Sequence, residues 1–220
     1  MFQPYYNLVK LFRKDAVVSE TSSWIFRATP YITFISVLII SLLVPVLSSQ
    51  VPLNFTGDII LIIYLFALAR FFLVLTSLDT GSAFGGMGGS REMMVSSMAE
   101  PAMILSFFTV ALTVNSTNLS NITSTLLNNS ILLLNPSLIL AFAALTIVLI
   151  AETGRIPVDN PFTHLELTMI HEGMMLEFSG RYLALVEWAS SMKLLLLLTI
   201  LVNIFFPWGI AGGLTFSGLI

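Results

Sequence analysis

The chain has 220 residues, of which 56% are hydrophobic and only 10% are charged, and this composition excludes an ordinary water-soluble domain. Its mean hydropathy of +0.95 predicts an integral membrane protein. Nine Lys and Arg residues in a chain of net charge −3 form no basic stripe, so we expect no nucleic-acid partner. The chain has no cysteine, which excludes thiolate-bound zinc, iron–sulfur and nickel–iron centres within it. Any redox centre must lie in a partner.

The first 27 residues are too short and too charged to cross a bilayer. Apolar and cationic side chains share this segment at helical spacing: Leu8, Leu11 and Phe12 with Lys10, Arg13 and Lys14. The pattern predicts an amphipathic helix that lies on the membrane surface. A solvent-exposed linker is the alternative.

Five apolar runs follow, each near the roughly 20 residues that a helix needs to cross the hydrocarbon core. They cover about residues 30–48, 58–78, 98–114, 131–151 and 178–206. The fold class predicted for residues 1–220 is therefore a single all-α membrane domain, with about five transmembrane helices and an N-terminal interfacial helix. Residues 79–97 and 152–177 are predicted to be loops on one side of the membrane.

The cationic residues are distributed unequally between the two sides that these spans define. The loops 48–57 and 115–130 contain no Lys or Arg. One side holds Lys10, Arg13, Lys14, Arg27, Arg91, Arg155, Arg181 and Lys193. Because Lys and Arg accumulate in cytoplasmic loops, we expect the N-terminus and the loops 79–97 and 152–177 to be cytoplasmic.

The predicted loop 79–97 is rich in glycine, with five glycines in the nine residues from Gly81 to Gly89. It lacks the Lys-Ser or Lys-Thr pair of a phosphate-binding P-loop. We expect a flexible loop that lets another backbone approach closely. A plain mobile linker is the alternative.

Three ionisable residues lie inside or at the end of an apolar run, where a charge is costly and indicates function. They are Arg70, Glu100 and Glu187. Glu100 also precedes Pro101, so a carboxylate that merely favours the positive end of a helix is an alternative for it. Arg70 either pairs with one of the carboxylates as a buried counter-ion or extends its side chain to the interface.

The segment AETGRIPVDNPFTHLELTMIHEGMMLEF, residues 151–178, concentrates acidic residues and both histidines of the chain. His164 and His171 are seven residues apart, about 10 Å along a helix, which disfavours a shared metal ion. On a continuous helix Glu166 and Glu177 would return to one face, where at least one partly desolvated carboxylate would exchange protons near neutral pH. A solvated acidic loop is the alternative. Further candidates in or near the polar segments are His164, His171, Glu172, Arg70 and Asp79.

Several motifs together resemble one family. The segment 151–178 continues as SGRYLALVEW, and the chain also contains QPYYNLVKLFRKD, LDTGSAFGGMGGSREM and AEP. These motifs are similar to the membrane subunit of complex I-related, energy-converting (group 4) NiFe hydrogenases of the formate hydrogenlyase and membrane-bound hydrogenase type. That subunit is homologous to the quinone-site subunit of complex I. Family members carry a helix before QPYYNLVKL and more after FFPWG, so we expect a fragment, a split gene product or a shortened variant.

The resemblance implies roles for particular residues. Glu100 in AEP, Glu177 in LEFSG and Glu187 in LVEW would form a proton relay. Residues at the junction with the redox module would be Arg91, Glu152, Arg155, Asp159 and Glu166.

The resemblance also implies a function. The chain would be a non-catalytic subunit of a ferredoxin-linked, hydrogenase-like respiratory complex in a prokaryotic cell membrane. It would link the peripheral redox module to the ion-translocating membrane arm. Partner subunits would hold the NiFe centre and the iron–sulfur clusters, and antiporter-like membrane subunits would lie beside it in the lipid bilayer. The alternatives are a quinone-site subunit of complex I and a passive membrane anchor for a hydrogenase or related reductase module.

Overall fold

The computed structural model describes residues 3–19, 22–45, 58–159 and 170–207. Over these residues every regular element is a helix, and a single backbone bridge joins Asp58 to Asn118. The helices are α1 (Gln3–Phe12), α2 (Trp24–Leu43), α3 (Ile59–Asp79), α4 (Ala83–Val114), α5 (Leu119–Asn128), a 3₁₀ turn (Ser130–Leu134), α6 (Pro136–Glu152), α7 (His171–Met175) and α8 (Gly180–Phe205). The all-α membrane fold predicted from the sequence is confirmed.

Four of these helices are long and apolar enough to cross a membrane: α2 with 20 residues, α3 with 21, α4 with 32 and α8 with 26. The fifth apolar helix, α6, has 17 residues, which corresponds to a length of about 25 Å. Each of the five predicted spans overlaps one of these helices. The boundaries differ where capping residues set them.

Helix α2 begins at Trp24, earlier than the predicted start at residue 30. Ser23 caps it by accepting a hydrogen bond from the backbone N–H of Ile25. The Asp79 carboxylate accepts hydrogen bonds from both the backbone N–H and the hydroxyl of Ser23, at 2.8 and 2.9 Å. Because this cap fixes the first turn, Pro30 lies within the helix, where membrane helices tolerate it.

The prediction of a glycine-rich loop over residues 79–97 is wrong for residues 83–97, which form the first half of α4. Ser82 caps this helix by accepting from the N–H of Gly85 at 3.1 Å. The glycines allow a close approach: a Cβ atom added to Gly88 would lie 3.0 Å from the carbonyl oxygen of Ile170. Packing of α4 against α7 therefore replaces the flexibility expected from composition.

The helices run in alternating directions, so their ends lie at two opposite faces of the bundle. At one face Ser23 meets Asp79, and the hydroxyl of Ser179 bonds the backbone of Val17. At the other face the side-chain amide of Asn203, near the end of α8, donates to the carbonyl of Pro45. The first face includes the starts of α2, α4 and α8, where the cationic residues lie.

An apolar core fills the bundle between these faces. Its fully buried side chains come from five helices and include Ile40, Phe66, Met103, Leu138 and Ile200. The polar segment 115–130 also contributes, because Asn118 caps α5 and that helix buries Leu119, Ile122 and Leu126. The charged groups described next interrupt this core near the cationic face.

Candidate functional site

Arg70 lies at the centre of a buried group of charges. It projects from the mainly apolar helix α3, and its side chain is 4% exposed. Its Nη1 donates to Oε1 of Glu100 on α4 at 2.8 Å, and its Nη2 donates to Oε1 of Glu152 at the end of α6. The guanidinium therefore bridges three helices. Of the two roles considered for Arg70, the structure shows that of a buried counter-ion.

A second cation reaches the same site from α8. Nζ of Lys193 donates to Oε2 of Glu152 at 2.8 Å. The Glu152 side chain is 2% exposed, and each of its oxygens accepts from a different cation. Two positive partners favour the ionised form of this carboxylate.

A third carboxylate lies close to Arg70 without a hydrogen bond. Oε1 of Glu92 on α4 is 3.7 Å from Nε of Arg70. We call the five charged residues the Arg70 cluster: Arg70, Lys193, Glu92, Glu100 and Glu152. The cluster links α3, α4, α6 and α8, so movement of one helix changes the charge environment of the other three.

A cavity of about 40 Å³ adjoins the Arg70 cluster. Since a water molecule needs roughly 10–15 Å³ in this measure, about three or four waters fit inside. Every member of the Arg70 cluster except Glu100 lines the cavity. The other polar residues of its wall come from α2, the segment after α6, α7 and α8: Thr33, Thr153, Asp159, His171 and Ser190. The site combines buried charge with room for water.

Asp159 fixes the start of the short helix α7. It is 5% exposed, and its two carboxylate oxygens accept from the backbone N–H groups of Ile170 and His171, at 3.3 and 2.9 Å. Asp159 therefore holds α7 beside the cavity. The role of Asp159 here is to position a neighbouring helix.

His171 connects this helix to the cavity. The residue as a whole is half-buried, but its Nε2 atom is fully buried and has no hydrogen-bond partner among the described residues. Burial of the ring, with a smaller contribution from Lys193, lowers the pKa of His171 to about 4. The imidazole is therefore neutral at physiological pH.

Glu187 lies apart from the Arg70 cluster. It is half-buried in a groove between α8 and the interfacial helix α1, next to Asn7 and Ser191. The neighbouring Trp188 packs its ring edge-on against Phe12 of α1, with centroids 6.2 Å apart. Arg70 is thus the counter-ion of Glu100 and Glu152, and Glu187 faces α1 instead.

The remaining predicted residues are absent from the wall of the cavity or lie outside the described residues. Glu177 is half-buried between α7 and α8, and Glu172 is exposed on α7. Arg155 is exposed just after α6, and Arg91 is half-buried on α4. Asp79 bonds Ser23 at the start of α2, as described above. Glu166 and His164 lie in the range 160–169, outside the described residues.

A scan against family models matches residues 1–218 of the chain to the model described as NADH dehydrogenase. The chain belongs to this NADH dehydrogenase family. It is 37% identical over 224 residues to formate hydrogenlyase subunit 4 of Escherichia coli (strain K12), a match that covers 100% of this chain and 70% of that protein. Hydrogenase-4 component C of the same strain is 36% identical over 222 residues, with 100% and 68% covered.

A solved structure shares the fold of this family member. It is described as the membrane-bound sulfane sulfur reductase, an archaeal respiratory membrane complex. The match has a TM-score of 0.79 at 20% identity, and it covers 93% of this chain and 66% of the matched chain. Together, the comparisons show a membrane subunit of a complex I-related hydrogenase or respiratory complex. The family resemblance stated from the motifs is confirmed.

Two members of the Arg70 cluster, Lys193 and Glu92, are not among the functional residues that the sequence predicts. Lys193 was counted only as a cation near one side, and Glu92 was not singled out. Glu92 precedes Glu100 by eight residues, about two turns along one side of a helix. That spacing was a usable signal, but it has meaning only once residues 83–97 are known to be helical.

Proposed function

We propose that this chain couples a peripheral redox module to ion movement through the membrane, and that the Arg70 cluster is the coupling element. One observation carries the proposal: Arg70, buried inside an apolar bundle, pairs with carboxylates of two other helices, the buried Glu152 and the 39% exposed Glu100. A shift of α4 or α6 would break one of these pairs. The freed carboxylate would then take up a proton, and it would release that proton when the pair forms again.

The cost of these charges argues against a passive anchor. Removing an ion from water costs several kcal/mol, and a buried ion pair is about as stable as, or less stable than, a well-packed apolar replacement. An anchor needs only the apolar contacts that already fill the core. Five ionisable side chains on four helices are therefore better explained by ion movement.

The end of the bundle that holds Arg91, Arg155 and Asp159 is the proposed docking face for the redox module. This module would carry the NiFe centre and iron–sulfur clusters, and the positive charge of this end supports its placement on the cytoplasmic side. Antiporter-like subunits would adjoin the membrane helices. In this arrangement Glu177, Glu187 and Glu100 form the relay, with Glu177 nearest the module.

The size of the cavity favours water over a quinone beside the Arg70 cluster. A volume of about 40 Å³ accommodates a few waters. An engineered cavity that binds a single benzene ring has a volume of about 150 Å³. Proton transfer through water therefore fits the described cavity better than binding of a quinone ring.

The test uses the assembled complex in sealed membrane vesicles. Glu152→Gln removes the charge that Arg70 and Lys193 share, and it keeps the size of the side chain. We expect the ratio of ions moved to electrons transferred to fall sharply, because the two cations lose their common partner. Electron transfer by the redox module, measured with a soluble donor, should continue.

Asp58→Asn is the matched control. Asp58 is an exposed carboxylate at the opposite end of the bundle, where it accepts from the hydroxyl of Thr117 at 3.1 Å. Its neutralisation should leave the ratio unchanged. A Glu152→Gln complex that assembles and moves ions with the wild-type ratio would contradict the proposal and favour a passive anchor.

A further inference from the structure

The three carboxylates of the Arg70 cluster are compensated to different degrees. Glu152 accepts from two cations, and Glu100 accepts one bond from Arg70 at 2.8 Å. Glu92 receives no hydrogen bond from any described residue, and its nearest cationic atom is Arg70 Nε at 3.7 Å. Its side chain is only 16% exposed, so water replaces little of the missing compensation. Glu92 is thus the carboxylate with the weakest support for a negative charge.

The charge balance of the cluster favours the binding of one proton. Three carboxylates face two cations, so the fully ionised cluster carries one uncompensated negative charge. A charge buried without a partner is costly, and the group takes up a proton instead. We expect the proton on the carboxylate whose negative charge is stabilised least by neighbouring cations.

Two buried polar atoms point to water in the adjoining cavity. Arg70 Nε and His171 Nε2 are the buried side-chain atoms without a hydrogen-bond partner in the described part of the chain, and both residues line the cavity. Glu92 lines it as well. Buried polar groups are normally bonded, and a polar cavity of this size holds water that can bond them.

We propose that Glu92 carries the exchangeable proton of the Arg70 cluster, and that this proton enters and leaves through cavity water and His171. This inference deepens the proposed function and rests on it for its role in coupling. The residue His171 extends from the surface, where it is partly exposed, to the cavity, where Nε2 is buried.

The proton transfer is balanced without any other reactant. A neutral imidazole accepts a proton on one ring nitrogen and releases the proton held by the other nitrogen. Cavity water passes the released proton to an oxygen of Glu92, which becomes a neutral carboxylic acid. The net charge of the cluster then rises by one, and the reverse sequence restores it.

The groups around His171 favour the neutral ring that this transfer needs. Lys193 on α8 and Arg155 after α6 oppose a positive charge on it, and Asp159 favours one. The remaining charged groups of the cavity wall are Arg70 on α3, Glu92 on α4 and Glu152 on α6. Burial outweighs the attraction of Asp159, so His171 transfers protons without retaining one at neutral pH.

Infrared difference spectroscopy on the assembled complex tests the assignment to Glu92. A protonated carboxyl group gives a carbonyl band that is separate from those of ionised carboxylates. We expect Glu92→Gln to remove one such band near neutral pH. Glu100→Gln should keep it. The conservative variant Glu92→Asp should shift the band in frequency without abolishing it.

The route is tested by exchange into deuterated buffer. The rate at which the carboxyl band shifts reports how fast the Glu92 proton reaches solvent. We expect His171→Phe, a ring without exchangeable protons, to slow this exchange by about 100-fold, as expected when a positioned proton-transfer group is lost. Exposed Glu172 on the same short helix provides the control, and Glu172→Gln should leave the rate unchanged.

Each contrary result would overturn a defined part of the inference. A band that survives Glu92→Gln but disappears in Glu100→Gln would place the proton on Glu100. Unchanged exchange in His171→Phe would exclude the histidine route. If a variant fails to assemble, the band shift in Glu92→Asp and the exchange rate in His171→Gln decide the same two points.

The spectra also separate this inference from the proposed function. Vesicles that contain the Glu152→Gln complex report the ratio of ions moved to electrons transferred. If Glu152→Gln leaves that ratio intact while the band still belongs to Glu92, the coupling role is wrong and the proton site stands. If the ratio falls but the band is absent in the wild type, the proton site is wrong and coupling stands.

Discussion

Lys193 donates a 2.8 Å hydrogen bond to Oε2 of Glu152, which joins the middle of α8 to the last residue of α6. The other oxygen of this carboxylate accepts from Arg70 on α3. Glu152 and its two cationic partners therefore connect α3, α6 and α8 at one point immediately beside the cavity. Removing Glu152 would leave Lys193 without its carboxylate partner and Arg70 with only Glu100 as a hydrogen-bonded partner.

We expect Arg70→Met to be strongly destabilising. Methionine preserves much of the length of the side chain, but Glu100 loses the cation that it pairs with, and Glu152 loses one of its two cations. Breaking a buried ion pair by removing one member costs roughly 3–5 kcal/mol. The midpoint of thermal unfolding in detergent, compared with the wild type, measures this loss.

Arg181→Met is the control for the Arg70 variant. Arg181 is exposed near the start of α8. A surface substitution of this kind usually changes stability by less than about 0.5 kcal/mol. Equal losses for the two variants would show that the Arg70 pairs contribute nothing beyond a surface charge.

Gly88→Ala should separate α4 from α7. The new Cβ atom would lie 3.0 Å from the carbonyl oxygen of Ile170 and 3.2 Å from the backbone nitrogen of Met174. Both contacts are with backbone, which cannot rotate away, so we expect a loss of about 1–3 kcal/mol. Faster amide hydrogen exchange in residues 170–175 would locate the effect at α7.

Gly86→Ala provides a control in the same helix. A Cβ atom at Gly86 meets no other atom within 4 Å. Alanine is the better helix former there, so this substitution should stabilise α4 by about 0.5–1 kcal/mol. A Gly88→Ala protein as stable as the Gly86→Ala protein would mean that α7 does not pack as described.

The sequence was sufficient for the membrane helices because their signal is local. A run of apolar residues long enough for the bilayer specifies a span by itself, whatever it packs against. For the same reason the sequence alone shows that Arg70 places a charge in an apolar run, where burial of a charge is energetically unfavourable. Its partners could not be derived in the same way, because they depend on which faces of α3, α4 and α6 meet.

The glycine-rich segment shows a different limit. Five glycines near the start of α4 indicate flexibility when each residue is considered alone. In the structure Gly88 permits α7 to approach α4, Gly85 and Gly89 lie close to Ser77 of α3, and this packing compensates for the weak helix propensity of glycine. The sequence alone does not reveal that tertiary contact, so it predicts a loop at Glu92 and does not predict the position of Glu92 beside Arg70.

The stability of the protein should fall at mildly acidic pH because of His171. Its pKa is about 4 in the folded protein, below the ordinary value of 6.5. Between these two pH values the unfolded chain binds a proton that the folded protein excludes, so unfolding becomes easier as pH decreases. We expect a loss on the order of 2 kcal/mol from this one group, allowing for its partial exposure.

A comparison of two pH series measures this effect. The unfolding midpoint of the wild type and of His171→Gln would be followed from pH 7.5 to pH 4.5. The difference between the two proteins should be constant above about pH 6.5 and should change below it in favour of the variant. Parallel curves throughout the range would show that the ring is not held neutral by burial.

Glu187→Gln tests the carboxylate that the family resemblance places in the relay and that the structure places beside α1. Glutamine fills the same space between α1 and α8 but cannot exchange a proton. Ion translocation by the complex in vesicles should fall by about tenfold or more, and soluble electron transfer should persist. The same substitution at exposed Glu172 is the control, and unchanged translocation in Glu187→Gln would remove Glu187 from the relay.

Gly180→Ala should release the segment that follows the interfacial helix. Gly180 has φ +52°, and a Cβ atom there would lie 2.5 Å from the carbonyl oxygen of Asp15 and 2.7 Å from that of Lys14. Alanine must push this segment away from the start of α8, so trypsin should cleave after Lys14 faster than in the wild type. Gly81→Ala is the control, because Gly81 has φ +66° with open space around it and carries only the backbone strain of about 1–2 kcal/mol. Equal cleavage rates in the two variants would show that backbone strain, rather than contact with the segment, determines the effect.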